Sequence, residues 1–251
     1  MPMLIRNNHV WGCIKLKTGV SCFFMGSATR HALIGLWFIT VWFAVIGNMG
    51  IAQAAEQQSQ QYPETIAVLS MLYESEVKAG YRYQLFANAA LAEGHDNIAH
   101  LLTAMAASEA VHAKSFKYLL SLMGVVPAEV DLSAINASKT KHNLKFATEV
   151  ELSEIDKEYP LYLKRIKKEG HTEAIRNIEY AWQSEKQHRA LIKEIKGGTG
   201  MFFSMLLKYF RSNPTRYYVN DVCGATVTEI PADMCPICHH PVLTYREIPK
   251  P

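Results

Sequence analysis

Two short patterns carry the chemistry of this chain. Glu109 and His112, and again Glu185 and His188, are a carboxylate and an imidazole three residues apart. That spacing puts both groups on one face of a helix, where they can share a metal ion. A single pair of this kind also fits a solvated helix face, but two copies stand in register, 76 positions apart. Further acids lie within otherwise apolar stripes: Glu76, and the pair Glu151 and Glu154. Buried carboxylates need a partner that offsets their desolvation, and metal ions supply one. A two-metal helical bundle takes a Glu from each of two helices and a Glu-x-x-His from each of the other two. Glu76, Glu109, His112, Glu151 or Glu154, Glu185 and His188 fill every place in that scheme. Oxygen ligands with two imidazoles suit iron or manganese.

A second cluster lies near the C-terminus, where Cys223, Cys235 and Cys238 fall within sixteen residues. Such crowding reads as a metal knuckle for iron or zinc. In an oxidising compartment the alternative is a Cys235–Cys238 disulfide with Cys223 left free.

The elements that must position these groups are helical. Residues 64–123 are rich in Ala, Leu, Met, Glu and Lys, lack Pro, and contain only Gly80 and Gly94, which predicts two helices joined near Gly94. Tyr83, Glu93, Gly94, His95, Glu109 and His112 recur 76 positions later as Tyr159, Glu169, Gly170, His171, Glu185 and His188. The repeat predicts a second hairpin over residues 140–196, and two hairpins make a four-helix bundle spanning 64–198. Residues 124–139, with Pro127, are long enough to cross over between them. Glu151 is one residue out of step with Glu76 under the 76-residue repeat, which a π-bulge would correct while aiming both third-helix acids inward. Pro160 follows Tyr159 and predicts a kink there. Residues 199–216 form a connecting segment with a packing helix expected at 201–210, and residues 217–251 form a small separate domain.

Residues 64–251 resemble the rubrerythrins. The resemblance rests on Glu76 with Tyr83, Glu93-Gly94, Glu109-x-x-His112, Thr140-x-x-Asn143-Leu144, Glu151-x-x-Glu154 with Tyr159, and Glu185-x-x-His188. It implies an all-α ferritin-like four-helix bundle followed by a small C-terminal rubredoxin-like, zinc-ribbon-like β domain that binds metal. It also implies two Fe ions in the bundle and a non-haem di-iron peroxidase that reduces hydrogen peroxide to water in oxidative-stress defence. A ferroxidase or iron-binding protein using oxygen is the alternative. By resemblance, one iron exchanges a carboxylate for a histidine with redox state, which maps to Glu154 and His112. Tyr83 and Tyr159 are either core aromatics or phenols bonded to ligand carboxylates. A homodimer is likewise implied by resemblance alone. Rubredoxin-like domains begin with a Cys-x-x-Cys knuckle, whereas Asn220-Asp221-Val222-Cys223 places Asn in the first position. The open choices for a fourth ligand are Asn220, Asp221, water, His239 or His240.

The N-terminal region reads as an address. Residues 32–55 carry no charge, and Arg30 and His31 precede them, the pattern of an export signal. Ala52 and Ala54 form a small-x-small cleavage site that leaves Ala55 as the mature N-terminus, followed by a linker to residue 63. Met25 begins a conventional signal, so residues 1–24 read as an upstream extension. The alternative is an uncleaved inner-membrane anchor over 32–54; a membrane contact is expected only in that case. Either way residues after 55 are expected outside the cytoplasm, in the periplasm, with an exported electron-donor protein as partner. A net charge of +3 from 26 basic and 23 acidic residues offers no basic stripe for nucleic acid. With 49% hydrophobic residues the chain is globular and not disordered.

Overall fold

The computed structural model describes residues 11–16, 19–24, 61–196 and 215–251, with no side chains described in the two N-terminal strands, at 148–155 or at 192–196. The chain divides into two compact units, residues 1–54 and 55–251. In the first, β1 (Trp11–Leu16) pairs antiparallel with β2 (Gly19–Phe24). The export signal or anchor at 32–54 and the packing helix expected at 201–210 lie outside the described residues. Among the described residues no helix is long and apolar enough to cross a membrane.

The second unit is a helical bundle joined to a small sheet. The first hairpin is α1 (Pro63–Ala92) and α2 (Asp96–Leu122). The third arm starts as α3 (Thr140–Ser153), passes through a π-helical turn at Glu154–Glu158 and continues as α4 (Tyr159–Ile166). The fourth is α5 (Thr172–Lys196). The π turn falls between Glu151 and Tyr159, where the repeat carries its extra residue: Thr65 and Glu76 recur 75 positions on, as Thr140 and Glu151, but Tyr83 recurs after 76. Pro160 therefore stands in the first turn of α4, a place that tolerates its missing N–H.

The turns at Gly94 and Gly170 adopt positive φ, 72° and 70°, which glycine accepts without steric cost. The glutamate before each turn caps a helix of the other hairpin. Glu93 Oε1 accepts the N–H of Thr140 at 3.0 Å. Glu169 accepts the N–H groups of Glu64 and Thr65 at 2.8 Å each, and the Thr65 hydroxyl at 2.7 Å. Acids at helix N-termini satisfy orphan donors and the dipole together. The two hairpins are thus locked reciprocally at their ends.

Apolar packing falls into two clusters along the bundle. One gathers Val68, Leu69, Leu72, Phe116, Leu120, Ile166 and Ile178. The other gathers Phe86, Ala90, Ile98, Leu102, Met105 and Leu144, and takes in Tyr217, Val219 and Ile248 of the C-terminal sheet. That sheet has the order β4 (Thr226–Val227), β3 (Tyr217–Asn220), β5 (Tyr245–Ile248), all antiparallel. His100, buried in the second cluster, donates from Nε2 to Ile248 O at 2.7 Å and packs edge-on against Tyr217. Small domain and bundle therefore share one core.

Removing the Glu169 cap should be felt across the bundle. Glu169→Ala is expected to cost about 1–2 kcal/mol of stability, read as a lower urea midpoint, with Glu169→Gln recovering part of the loss.

Candidate metal centre

Between the two apolar clusters lies a layer of buried polar side chains. α1 supplies Glu76, α2 supplies Glu109 and His112, and α5 supplies Glu185 and His188, all five buried. His112 Nδ1 stands 3.1 Å from Glu109 Oε2 and 3.4 Å from Glu185 Oε1. His188 Nδ1 stands 3.2 Å from Glu185 Oε2 and 3.3 Å from Glu109 Oε1. Each carboxylate thus spans both imidazoles, one oxygen to each. Glu76 Oε2 approaches His112 Nδ1 at 3.7 Å, and the Tyr159 hydroxyl donates to Glu76 Oε1 at 2.8 Å. Tyr159 is at once a buried member of the first apolar cluster and a phenol bonded to the Glu76 carboxylate.

The imidazoles are oriented from behind by the C-terminal domain. His112 Nε2 donates to Cys223 O at 3.1 Å, so in the neutral ring Nδ1 is left as the free acceptor. The Thr226 hydroxyl donates to Gly224 O at 3.1 Å and so receives His188 Nε2–H at 3.2 Å, which fixes the same tautomer. Ligand histidines are commonly held in this way through their second nitrogen. The approach is close: a Cβ on Gly224, which has φ +74°, would fall 2.2 Å from His112 Nε2. Ser108 Oγ adds a 2.6 Å hydrogen bond to Gly224 O.

Burial and mutual pairing set the protonation of this layer. Burial, only partly offset by His112, pushes the Glu76 carboxyl up to about 8. Burial works to lower both imidazoles, but the surrounding carboxylates outweigh it, raising His188 to about 10 and His112 well above its usual value. Glu76, Glu109, His112 and Glu185 each offer a ligand atom within 4.8 Å of the others. Oxygen-rich donors with an imidazole match iron or manganese, so this cluster fits a metal ion.

In the small domain Cys223, Cys235 and Cys238 are buried free thiols whose sulfurs also gather within 4.8 Å. Asn220 is buried beside them. The side chains of Glu151 and Glu154 lie outside the described residues; the backbone places Glu151 in α3 and Glu154 at the start of the π turn. Tyr83 is buried in the cluster with Phe86. Sequence reasoning missed Ser108 and Thr226, and read Gly224 only as a knuckle residue, because their roles at the bundle come from a contact between distant parts of the chain. The 76-residue repeat of Ser108 as Ser184, two buried hydroxyls 3.3 Å apart, was the one available signal.

The rubrerythrin family model matches residues 67–196. Rubrerythrin-2 of Clostridium acetobutylicum is 29% identical over 174 residues, 69% of this chain and 91% of that relative. Among solved structures, nigerythrin in its fully reduced, all-ferrous state aligns with TM-score 0.61 at 24% identity, over 73% of this chain and 86% of its own. Desulfovibrio desulfuricans bacterioferritin, studied for its diiron site, aligns with TM-score 0.57 at 18% identity, over 62% and 92%. At those identities the structural likeness establishes the ferritin-like fold.

Two outcomes follow from this geometry. The folded metal-free chain holds protons on His188 and Glu76 above their ordinary values of 6.5 and 4.5, so it binds more protons than the unfolded chain and loses stability as pH rises. Its urea midpoint should fall between pH 6 and pH 9, and metal loading at pH 7 should release protons. A midpoint that rises over that interval would contradict the assignment. Thr226→Val, which keeps the shape but removes the acceptor for His188, is expected to weaken metal binding about tenfold in an equilibrium titration.

Proposed function

Because the chain belongs to the rubrerythrin family, we propose that it is a non-haem di-iron peroxidase, reducing hydrogen peroxide to two waters with two electrons and two protons. The observation that carries this reading is the pair Glu109 and Glu185, each facing both imidazole Nδ1 atoms at 3.1–3.4 Å. In this assignment Glu76, Glu109, His112, Glu185 and His188, with Glu151 or Glu154, would hold the two irons, Glu109 and Glu185 being placed to serve both. When bound in the ferrous state, such a pair would supply one electron from each metal, matching the two-electron demand of an O–O bond.

The chain's own groups then orient and exchange protons. Tyr159 steadies Glu76 through its 2.8 Å hydrogen bond and keeps a proton beside a ligand oxygen. Glu154, at the start of the π turn, is the proposed proton carrier, and it and His112 would be alternative ligands in the two redox states. The apolar clusters on both sides keep bulk water from the layer. Electrons enter from a protein donor. Cys223 supports that direction, since its thiol belongs to the cysteine cluster and its carbonyl holds His112.

Export sets the partner. The signal-like residues 25–54 support a periplasmic protein, either released after residue 54 or anchored by residues 32–54. The donor is then an exported electron carrier, and the working form is a homodimer.

A second reading, a ferroxidase that uses oxygen and needs no relay, is favoured by one observation: Asn220 stands where the first knuckle thiolate belongs. Rapid mixing of the ferrous, anaerobic protein with peroxide and with oxygen separates the two. Faster oxidation by peroxide is expected; faster oxidation by oxygen would select the ferroxidase.

A further inference from the structure

We propose that the three cysteines bind one divalent ion together with the side-chain oxygen of Asn220, so that the C-terminal site is a tetrahedron of three sulfurs and one oxygen. Asn220 is wholly buried, as are the three thiols nearly so. Cys223 Sγ lies 3.6 Å from Cys235 Sγ, and Cys238 Sγ lies 3.8 Å from Asn220 Oδ1. Donors placed about 2.0–2.3 Å from one tetrahedral ion are separated by about 3.5–3.8 Å along the edges. Both observed spacings are edge lengths.

The amide is oriented for this role. Asn220 Nδ2 donates to Thr244 Oγ1 at 2.7 Å, and that hydroxyl passes its own proton to Pro241 O at 2.8 Å. Oδ1 is thereby turned toward the thiols. It accepts the N–H groups of Val222 at 2.9 Å and Cys223 at 3.2 Å, the residues two and three places on. In the second knuckle the first thiol, Cys235, takes the matching pair of backbone hydrogen bonds from Ile237 and Cys238. Asn220 Oδ1 thus occupies in one knuckle the position that a sulfur occupies in the other.

The rival donors point elsewhere. Asp221 is paired with Arg246 at 2.7 Å. His240 Nδ1 donates to Cys238 O at 3.1 Å, and His239 is exposed. Among the described residues no His, Asp or Glu joins the three thiols. Three thiolates and a neutral amide carry one negative charge fewer than four thiolates. The set suits zinc or ferrous iron, and for iron the lower charge stabilises the reduced ion and raises the potential.

The test uses the full chain, metal-free, with thiols reduced and oxygen excluded, titrated with cobalt(II). Its readout is thiolate-to-cobalt charge transfer, to which the bundle carboxylates and imidazoles contribute nothing, so it stands or falls apart from the peroxidase reading. One thiolate-bound cobalt per chain is expected. Asn220→Cys should raise the charge-transfer intensity by about one third, as three sulfurs become four. Asn220→Asp should keep the three-sulfur spectrum, and Asn220→Ala should bind at least about tenfold more weakly. Because the alanine variant removes hydrogen bonds that the turn needs, Asn220→Cys keeps the proposal falsifiable if it does not fold. Unchanged intensity in Asn220→Cys overturns the proposal, as does a reduced native chain that binds no cobalt at its thiols, or a folded Asn220→Ala chain with native affinity and spectrum.

Discussion

Burying carboxylates and imidazoles in one plane of a helical bundle is the constraint around which this molecule is organised. An ionised group moved out of water loses several kcal/mol of solvation even after relaxation, and here Glu76, Glu109, Glu185, His112 and His188 are all buried. Mutual pairing offsets part of that cost, as the raised pKa of His188 records. Glu109 and Glu185 each share their two oxygens between His112 and His188. A metal ion inverts the local balance: it favours deprotonated ligands at neutral pH and uses the lone pairs that protons now occupy. The flanking apolar clusters, the reciprocal caps from Glu93 and Glu169, and the small sheet docked behind the histidines all serve to hold that layer closed.

The small domain contributes to the bundle centre directly. Cys223 O and Thr226 Oγ1 receive the Nε2–H groups of the two histidines, and Gly224 permits an approach that any Cβ would block. One peptide segment, residues 223–226, therefore belongs to two sites at once: its thiol faces Cys235 and its carbonyls face the bundle. The two sites are thus joined through the backbone of residues 223–226.

Much of this was legible in the sequence because it is periodic. Glu-x-x-His repeated in register reports a helix face, and the one-residue slip between Glu76/Glu151 and Tyr83/Tyr159 located the π turn seen at Glu154–Glu158. The backbone insertion leaves Tyr159 in step with its counterpart, and Tyr159 reaches Glu76. What stayed hidden has no period. Glu93 and Glu169 looked like hairpin residues, yet each caps a helix about 47 or 105 positions away in the chain. The contacts of residues 223–226 with His112 and His188 depend on how two folded parts meet, which local propensity does not encode. Pro160, for which the sequence predicts a kink, opens α4 directly after the π turn.

The most direct test of the two-metal layer is the iron stoichiometry of the purified chain, counted separately from any ion at the cysteines, beside that of Glu185→Ala. Removing one of the two shared carboxylates should abolish bundle loading, leaving two irons in the native chain and none in the variant. Retention of two bundle irons by Glu185→Ala would contradict the account.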